Sequence, residues 1–277
     1  MQLIAGQYEI AWQDKIANHG LIREWLCGRA PEPGSLILLP EMCDTGFSMN
    51  LAEVAPDRSR RSEAFFARLA KELEIYLVAG LVRRGADGLG RNEAVVFSPE
   101  GLELARYAKL HPFSHVGEDR HFAAGDRLAI FDWQGIKVAP IVCYDLRFPE
   151  LFRHAVRAGA ELFAVIANWP AARTAHWRPL LRARAIENQA IVVGLNRCGE
   201  DPNARYDGQS VVYDPQGVAL AEADRDPTLL ECDIDRQVID DTRRSFGVLR
   251  DMRDDLLGPP SYGLDEEQDQ FNDQRRG

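Results

Sequence analysis

The chain alternates short apolar runs with longer segments in which apolar residues recur every three or four positions. Apolar runs bounded by Gly, Pro or polar residues predict buried strands, and the longer spacing predicts amphipathic helices. Strands are predicted at 3–7, 36–40, 75–82, 93–98, 102–108, 136–142, 162–169, 190–196 and 229–234, with two more within 209–223. Helices are predicted at 12–29, 61–73, 149–158, 174–188 and 234–244.

The order of these elements predicts an α/β fold. Strands alternate with helices, and the glycine-rich stretch GADGLG joins two strands as a hairpin. A core of two mixed sheets with helices on the outer faces fits this order. No repeat or linker divides the chain, so we expect one domain over residues 1–257. The polar end, LDEEQDQFNDQRRG, predicts a C-terminal tail over residues 258–277.

Composition and charge narrow the class of protein. The 277 residues are 45% apolar and carry a net charge of −10, which favours a large core and argues against a nucleic-acid partner. The start has no basic region before an apolar one, and no run approaches the roughly 20 apolar residues of a membrane span. Five scattered cysteines without a CxxC pair favour neither disulfides nor a metal site. We expect a cytoplasmic protein without membrane contacts.

Three polar residues come directly after predicted strands: Glu41 after LILLP, Lys109 after LELARYA and Cys143 after IKVAPIV. If these strands are neighbours and point the same way, their ends converge at one rim, where open α/β sheets bind ligands. A carboxylate in a dry cleft can take a thiol proton, and an ammonium can stabilise an oxyanion. The backbone N–H of Tyr144 would be a second oxyanion donor. The pattern therefore predicts a Glu-Lys-Cys hydrolase.

Each of these residues also has an ordinary structural interpretation. A lone cysteine is more often a core residue, Glu41 could cap a helix, and Glu118 in HVGEDRHF could be a loop charge. Lysine is rare here, with four lysines among 33 basic residues, which favours a specific role for Lys109. The motifs GxSxG, HExxH and GxxxxGK[ST] do not occur. A Cys-His hydrolase stays open, since the chain contains His111, His115, His121 and His176.

Taken together, these motifs resemble the nitrilase (carbon–nitrogen hydrolase) superfamily, over nearly the whole chain to about Met252. The matching stretches are LLPEMCDTGF with Glu41, YAKLHPF with Lys109, HVGEDRHFAAGD with Glu118 and IVCYDLRFPE with Cys143. The resemblance implies a four-layer αββα sandwich that forms homodimers or higher homo-oligomers and requires no metal or organic cofactor. It also implies that Glu41 is the base, Lys109 the catalytic lysine and Cys143 the nucleophile. Glu118 is implied to orient the lysine.

The same resemblance assigns two further residues of the elbow around Cys143. Asp145 and Arg147 are expected to brace this strand-to-helix turn and to be mainly structural.

Within the superfamily, NWPAARTAHWRPLLRARAIENQA is similar to the ω-amidase branch, which hydrolyses terminal amides of 2-oxo dicarboxylic acids. True nitrilases carry Cys-Trp-Glu where this chain has Cys-Tyr-Asp, which favours amides. A guanidinium can hold the far carboxylate of such a substrate, and Arg173 is the candidate. Phe47 and Trp169 would wall the pocket. The alternatives are an amidase for carbamoyl or peptide-like amides, or a member that binds without catalysing.

Overall fold

The computed structural model of the protein describes residues 1–55, 59–257 and 263–264. The predicted tail, 258–277, lies outside these residues except for two positions. The strands, numbered in chain order, are β1 (Gln2–Gln7), β2 (Leu36–Leu38), β3 (Tyr76–Arg84), β4 (Gly90–Phe97), β5 (Glu103–Ala108), β6 (Arg127–Leu128), β7 (Phe131–Trp133), β8 (Ile136–Val142), β9 (Leu162–Ala167), β10 (Ile191–Asn196), β11 (Cys198–Glu200), β12 (Arg205–Asp207), β13 (Val211–Tyr213), β14 (Ala219–Glu222), β15 (Thr228–Asp233) and β16 (Gly263–Leu264). The helices are α1 (Lys15–Arg29), α2 (Leu51–Val54), α3 (Arg61–Leu73), α4 (Pro149–Arg157), α5 (Thr174–Asn188), α6 (Arg236–Ser245) and α7 (Asp254–Leu257).

Two six-stranded mixed sheets form the centre of the molecule. The first has the order β15-β1-β2-β3-β4-β5 and the second the order β14-β13-β10-β9-β8-β7. Helices α1 and α3 pack on the first sheet, and α4 and α5 cover the second. The layers are therefore helix, sheet, sheet and helix, and the predicted αββα sandwich is confirmed.

The alternation of side chains along β2 explains how one short strand contributes to two layers. Leu36 and Leu38 belong to the core between the sheets, whereas Ile37 packs with Ile22 and Phe66 beneath the helices. Successive side chains of a strand point to opposite faces, so a fully apolar run is what a strand buried on both faces requires. None of the helices in the described ranges is long and apolar enough to cross a bilayer.

The predicted elements differ from the observed ones mainly at their ends. Helix α1 begins at Lys15 rather than at residue 12, because the Asp14 carboxylate accepts a hydrogen bond from the Ala17 N–H at 2.9 Å and starts the helix there. Strand β9 ends at Ala167, two residues early, because the next two residues turn into the site described below. The short strands β6, β7, β11 and β12 lack a long apolar run, and the hydrophobic pattern does not predict them.

Candidate active site

Glu41, Lys109 and Cys143 follow β2, β5 and β8, and these strands are not neighbours in one sheet. Strands β3 and β4 separate β2 from β5 in the first sheet, and β8 belongs to the second sheet. Strands β2 and β5 do run in the same direction, because β3 is parallel to β2 and the next two pairings are both antiparallel. The three residues meet because the two sheets face each other.

The backbone of Glu41 is fixed by its close approach to Gly80 in β3. A Cβ atom at Gly80 would lie 2.2 Å from the carbonyl oxygen of Pro40 and 2.5 Å from the Cα of Glu41. The N–H of Cys43 donates to the Gly80 carbonyl at 2.8 Å, which ties the turn to the strand. Glycine is required here because any side chain would displace the turn that presents Glu41.

Cys143 lies on a sharp turn between β8 and α4. It has a φ of 47° in the left-handed region, which is uncommon for a residue with a side chain and is found at functional sites. A 3₁₀ helix, Cys143–Arg147, follows, and Pro149 begins α4. The buried guanidinium of Arg184 donates to the carbonyl of Leu146 at 2.8 and 3.2 Å and holds this turn from behind.

The Asp145 carboxylate joins the cysteine turn to the segment that carries Lys109. It accepts hydrogen bonds from the Tyr107 hydroxyl at 2.7 Å, from the Leu110 N–H at 3.2 Å and from the His111 N–H at 2.9 Å. The His111 ring lies within hydrogen-bonding distance of it at 2.8 Å. These contacts agree with the expected bracing role, and they fix Cys143 and Lys109 relative to each other.

A buried ionic cluster links the catalytic candidates. The Lys109 ammonium contacts Glu41 Oε1 at 2.9 Å and Glu118 Oε2 at 2.8 Å. Both carboxylates are fully buried and the lysine is 2% exposed, whereas Cys143 remains 8% exposed. Glu118 also accepts the N–H of Phe113 at 2.6 Å. The residue that could have been a loop charge is therefore part of the cluster.

The cluster shifts the protonation of its members in different directions. Burial alone would raise the pKa of Glu41, but Lys109, Asn92 and the N–H of Asn168 together hold it below its usual value. Burial and the Glu41 carboxylate raise the pKa of the Cys143 thiol, against the influence of Lys109. Burial would lower the pKa of Lys109, but the two carboxylates raise it. At neutral pH the site therefore contains the thiol of Cys143, the carboxylate of Glu41 and the ammonium of Lys109.

Two asparagines that the sequence reasoning missed complete this cluster. Asn92 Nδ2 donates to Glu41 Oε1 at 2.7 Å and to Glu118 Oε1 at 2.9 Å. The Asn168 N–H donates to Glu41 Oε2 at 2.8 Å, and its Nδ2 donates to the Glu41 carbonyl at 2.6 Å. Asn168 is the first polar residue after the apolar run of β9, which is the signal that identified Glu41, Lys109 and Cys143. Asn92 lies inside a strand and carries no such signal.

The thiol opens into a cavity of about 660 Å³. The four residues predicted to bind substrate, Phe47, Tyr144, Trp169 and Arg173, all line it together with Lys109 and Cys143. The Trp169 backbone is held by Asn196, which accepts its N–H at 2.7 Å and donates to its carbonyl at 3.0 Å. The remaining lining residues include Met49, Phe113, Arg147, Asn168, Arg205 and Tyr206.

The Arg147 guanidinium lies 4.6 Å over the Trp169 ring and 6.0 Å over the Tyr144 ring, and it also lines the cavity, so its expected bracing role stays a prediction. Burial and the neighbouring charge of Arg173 lower the pKa of Arg147. Its Nη2 lies 3.3 Å from His176 Nδ1, and the His111 ring contacts Asp145. Neither imidazole is engaged with the thiol. In the described part of the chain, no three His, Cys, Asp or Glu side chains form a metal-binding group.

Comparison with known proteins agrees with this fold. Residues 4–244 match the family model described as Carbon-nitrogen hydrolase. The chain is 34% identical over 236 residues to the 2-oxoglutaramate amidase of Bacillus subtilis (strain 168), covering 84% of this chain and 90% of that protein. It is 35% identical over 248 residues to Omega-amidase YafV of Escherichia coli (strain K12), covering 88% and 94%.

A solved structure extends the likeness to three dimensions. XC1258 from Xanthomonas campestris, a CN-hydrolase superfamily protein with an arsenic adduct in its active site, superposes with a TM-score of 0.83. It is 30% identical in sequence, and the match covers 91% of this chain and 97% of that one. The chain therefore belongs to the carbon–nitrogen hydrolase family. The predictions of this family and of an enzyme are confirmed.

Proposed function

We propose that this protein is an ω-amidase, which hydrolyses the terminal amide of a short 2-oxo dicarboxylic acid through a thioester on Cys143. Glu41 is the general base, and Lys109 with the Tyr144 N–H stabilises the oxyanion. Glu118 orients Lys109. The observation that carries the proposal is the Lys109 ammonium, which lies 2.9 Å from one buried carboxylate and 2.8 Å from a second, beside a thiol that opens into the cavity.

Acylation begins with the thiol protonated, because burial and Glu41 raise the thiol pKa while the pKa of Glu41 is lowered. Glu41 removes the proton as the sulfur attacks the amide carbon, so no free thiolate accumulates. The carbonyl oxygen becomes an oxyanion that Lys109 and the Tyr144 N–H stabilise. Glu41 then gives its proton to the amide nitrogen, the carbon–nitrogen bond breaks, and ammonia leaves a thioester on Cys143.

Deacylation uses the same groups with water in the place of the thiol. Glu41 removes a proton from a water molecule as its oxygen attacks the thioester carbon, and Lys109 again stabilises the oxyanion. The carbon–sulfur bond breaks, and the proton held by Glu41 returns to Cys143. The carboxylic acid leaves, and thiol, carboxylate and ammonium are restored.

The lining of the cavity supports a carboxylate-bearing substrate. Arg147 and Arg173 both line it, and like charges that share a cavity favour an anionic ligand. Phe47 and Trp169 supply apolar walls for a short carbon chain. Two relatives at 34% and 35% identity carry the names 2-oxoglutaramate amidase and omega-amidase, which supports the same substrate class.

Two alternative functions determine which substrates the ammonia-release assay should compare. A cavity of about 660 Å³ also has room for a larger amide, so a carbamoyl or peptide-like substrate is the second candidate. A protein that binds without catalysing is disfavoured, because every group of the proposed mechanism is present and in contact. Ammonia release from 2-oxoglutaramate, from a neutral amide of equal length and from a carbamoylated amine separates the three.

Arg173→Met tests how the carboxylate is held. We expect activity on 2-oxoglutaramate to fall about 10- to 100-fold, as for the loss of one charged hydrogen-bond pair, with little change on the neutral amide. Arg23→Met is the control, because Arg23 pairs with Glu72 on the outer helices, with side chains 49% and 45% exposed. An equal fall on both substrates would contradict the carboxylate role.

The remaining parts of the proposal are the oligomeric state, the cellular location and the bounds of the hydrolase domain. A homodimer is supported by Ile186 on α5, which is 47% exposed beside Val218 and Leu220 at the edge strand β14, exposed by 55% and 46%. A cytoplasmic location is supported by the cysteines, all five of which are free, since disulfides form and persist mainly in oxidising compartments. Residues 1–257 would form the hydrolase domain.

A further inference from the structure

Asn92 lies in β4, between the strands that lead to the proposed base and to the lysine, and is 2% exposed. Its carbonyl accepts the Lys109 N–H at 2.8 Å. Its single amide nitrogen has two hydrogens, and these go to two different carboxylates, Glu41 at 2.7 Å and Glu118 at 2.9 Å. With the ammonium of Lys109, the four side chains form a closed ring of hydrogen bonds.

The ring contains one negative charge in excess, because two carboxylates share one ammonium in a buried site. Two carboxylates at one site normally cannot both stay ionised, and one of them takes up a proton. Neutral donors offset this tendency. Glu41 and Glu118 each receive one backbone N–H, from Asn168 and Phe113, but Asn92 donates to both.

The orientation of the Asn92 amide is consistent with a donor role. Its Oδ1 is buried and has no hydrogen-bond partner among the described residues. The opposite orientation would direct this oxygen at two carboxylates, which is strongly unfavourable. The amide therefore leaves an acceptor unpaired while both N–H groups serve the carboxylate pair.

We propose that Asn92 is a positioning residue that keeps Glu41 ionised beside a second buried carboxylate and so keeps the base free of a proton. This inference rests on the proposed role of Glu41 as base. A protonated Glu41 cannot accept the thiol proton, so loss of Asn92 should halt the first step at a pH where the wild-type enzyme still works. The charged and titratable groups that face Glu41 are Lys109, Glu118, Cys143 and, from β12, Tyr206.

The test measures alkylation of Cys143 by chloroacetone against pH, because this reagent has no amide bond and reacts with the thiol only as the thiol loses its proton. In Asn92→Leu we expect the acidic limb of the rate profile to move upward by about one to two pH units, since one carboxylate of the pair gains a proton. Infrared difference spectra should show the carbonyl band of a protonated carboxylic acid at a pH where wild type lacks it. Asn92→Ser, which offers one donor, should shift the limb less.

Two further variants separate this effect from lost packing. Asn188→Leu is the control, because Asn188 is also fully buried and also has an unpaired Oδ1, but its Nδ2 donates to the Arg184 carbonyl on α5. This variant should keep the wild-type limb. Adding Glu118→Gln to Asn92→Leu removes the carboxylate that competes with Glu41. The acidic limb of this double variant should therefore move back toward the pH at which it lies in Glu118→Gln alone.

The proposal is overturned if both Asn92 variants react more slowly but the acidic limb of their rate profiles stays at the wild-type pH. It is also overturned if adding Glu118→Gln fails to reverse the shift in Asn92→Leu. It is overturned as well if Glu41→Gln leaves the acidic limb of the wild-type profile where it is, because that limb then reports the thiol alone and Glu41 is not the base. If 2-oxoglutaramate is not hydrolysed but the alkylation pattern holds, the proposal on Asn92 is supported and only the substrate assignment fails.

Discussion

Replacing Lys109 by methionine should destabilise the protein and abolish turnover, because both buried glutamates contact its ammonium. Methionine has a similar volume and no charge. Removing one partner of a buried ion pair costs about 3–5 kcal/mol, since the other charge stays buried and unpaired. For a chain of this size, such a loss lowers Tm by about 10 °C. The kcat should fall at least about 10²-fold, as when one oxyanion donor is lost.

The pH dependence of this destabilisation is the sharper part of the prediction. In the wild type the pKa of Glu41 is lowered, so its stabilising contribution is present above 4.5 and is lost only as pH falls through the lower, folded value. The pKa of Lys109 is raised, so its contribution is full below 10.5 and is lost only above the higher, folded value. Wild-type stability from this cluster should therefore stay constant between about pH 5 and 9.

In Lys109→Met the Glu41 carboxylate loses its cation, and burial then raises the pKa of Glu41. Lowering the pH from 8 to 5 should protonate Glu41 and recover much of the lost stability. Urea unfolding followed by circular dichroism across this range measures the effect. Lys71→Met, at an exposed position of α3, is the control and should change stability little at any pH. A loss below about 1 kcal/mol that does not vary with pH would refute the buried pairing.

The other predictions follow from the same cluster and from the outer face of the molecule. Cys143→Ala should remove turnover with little change in Tm, and mass spectrometry of quenched wild-type enzyme should detect an acyl adduct on Cys143; turnover by the variant would exclude the nucleophile. Glu118→Gln should lower kcat more than about tenfold with a similar Tm, whereas an unchanged kcat would return Glu118 to a structural role. Ile186→Glu should convert the proposed dimer to a monomer in analytical ultracentrifugation. An unchanged mass would exclude the face around Ile186 as the dimer interface.

The apolar pattern predicted most of the fold because the core strands are apolar on both faces. Strand β9 is buried at all six positions, and such a run between polar segments is hard to interpret otherwise. The pattern also located Glu41, Lys109 and Cys143, since a polar residue directly after a buried strand lies at the end of a sheet. It did not indicate that these strands belong to different sheets, because the packing of one sheet on another produces no periodic pattern in a sequence.

Asn92 illustrates why part of the site could not be predicted. A polar residue inside β4 could face solvent, the helices or the other sheet, and the pattern RNEAVVFS does not decide among these. Its partners are fixed by the register of β4 against β5 and by the 3₁₀ helix Glu118–Arg120 that carries the second carboxylate. Both are tertiary features. Short ribbons such as β11 and β12 were missed for a related reason, because their residues are mostly polar and their pairing is set by the surrounding loops.

The proposed chemistry and the substrate specificity of the cavity depend on different residues. The residues that would perform the reaction sit at the ends of buried strands, where backbone contacts and Asp145 fix their positions. Arg173 instead sits on a separate 3₁₀ turn after β9, with the Phe113 ring beneath its guanidinium group, whereas Arg147 ends the 3₁₀ helix that begins at Cys143. Strand ends hold a geometry that every amide of the class requires, and a turn outside that geometry can change without disturbing it. Differences in substrate among proteins with this cluster should therefore reside in the turn that carries Arg173.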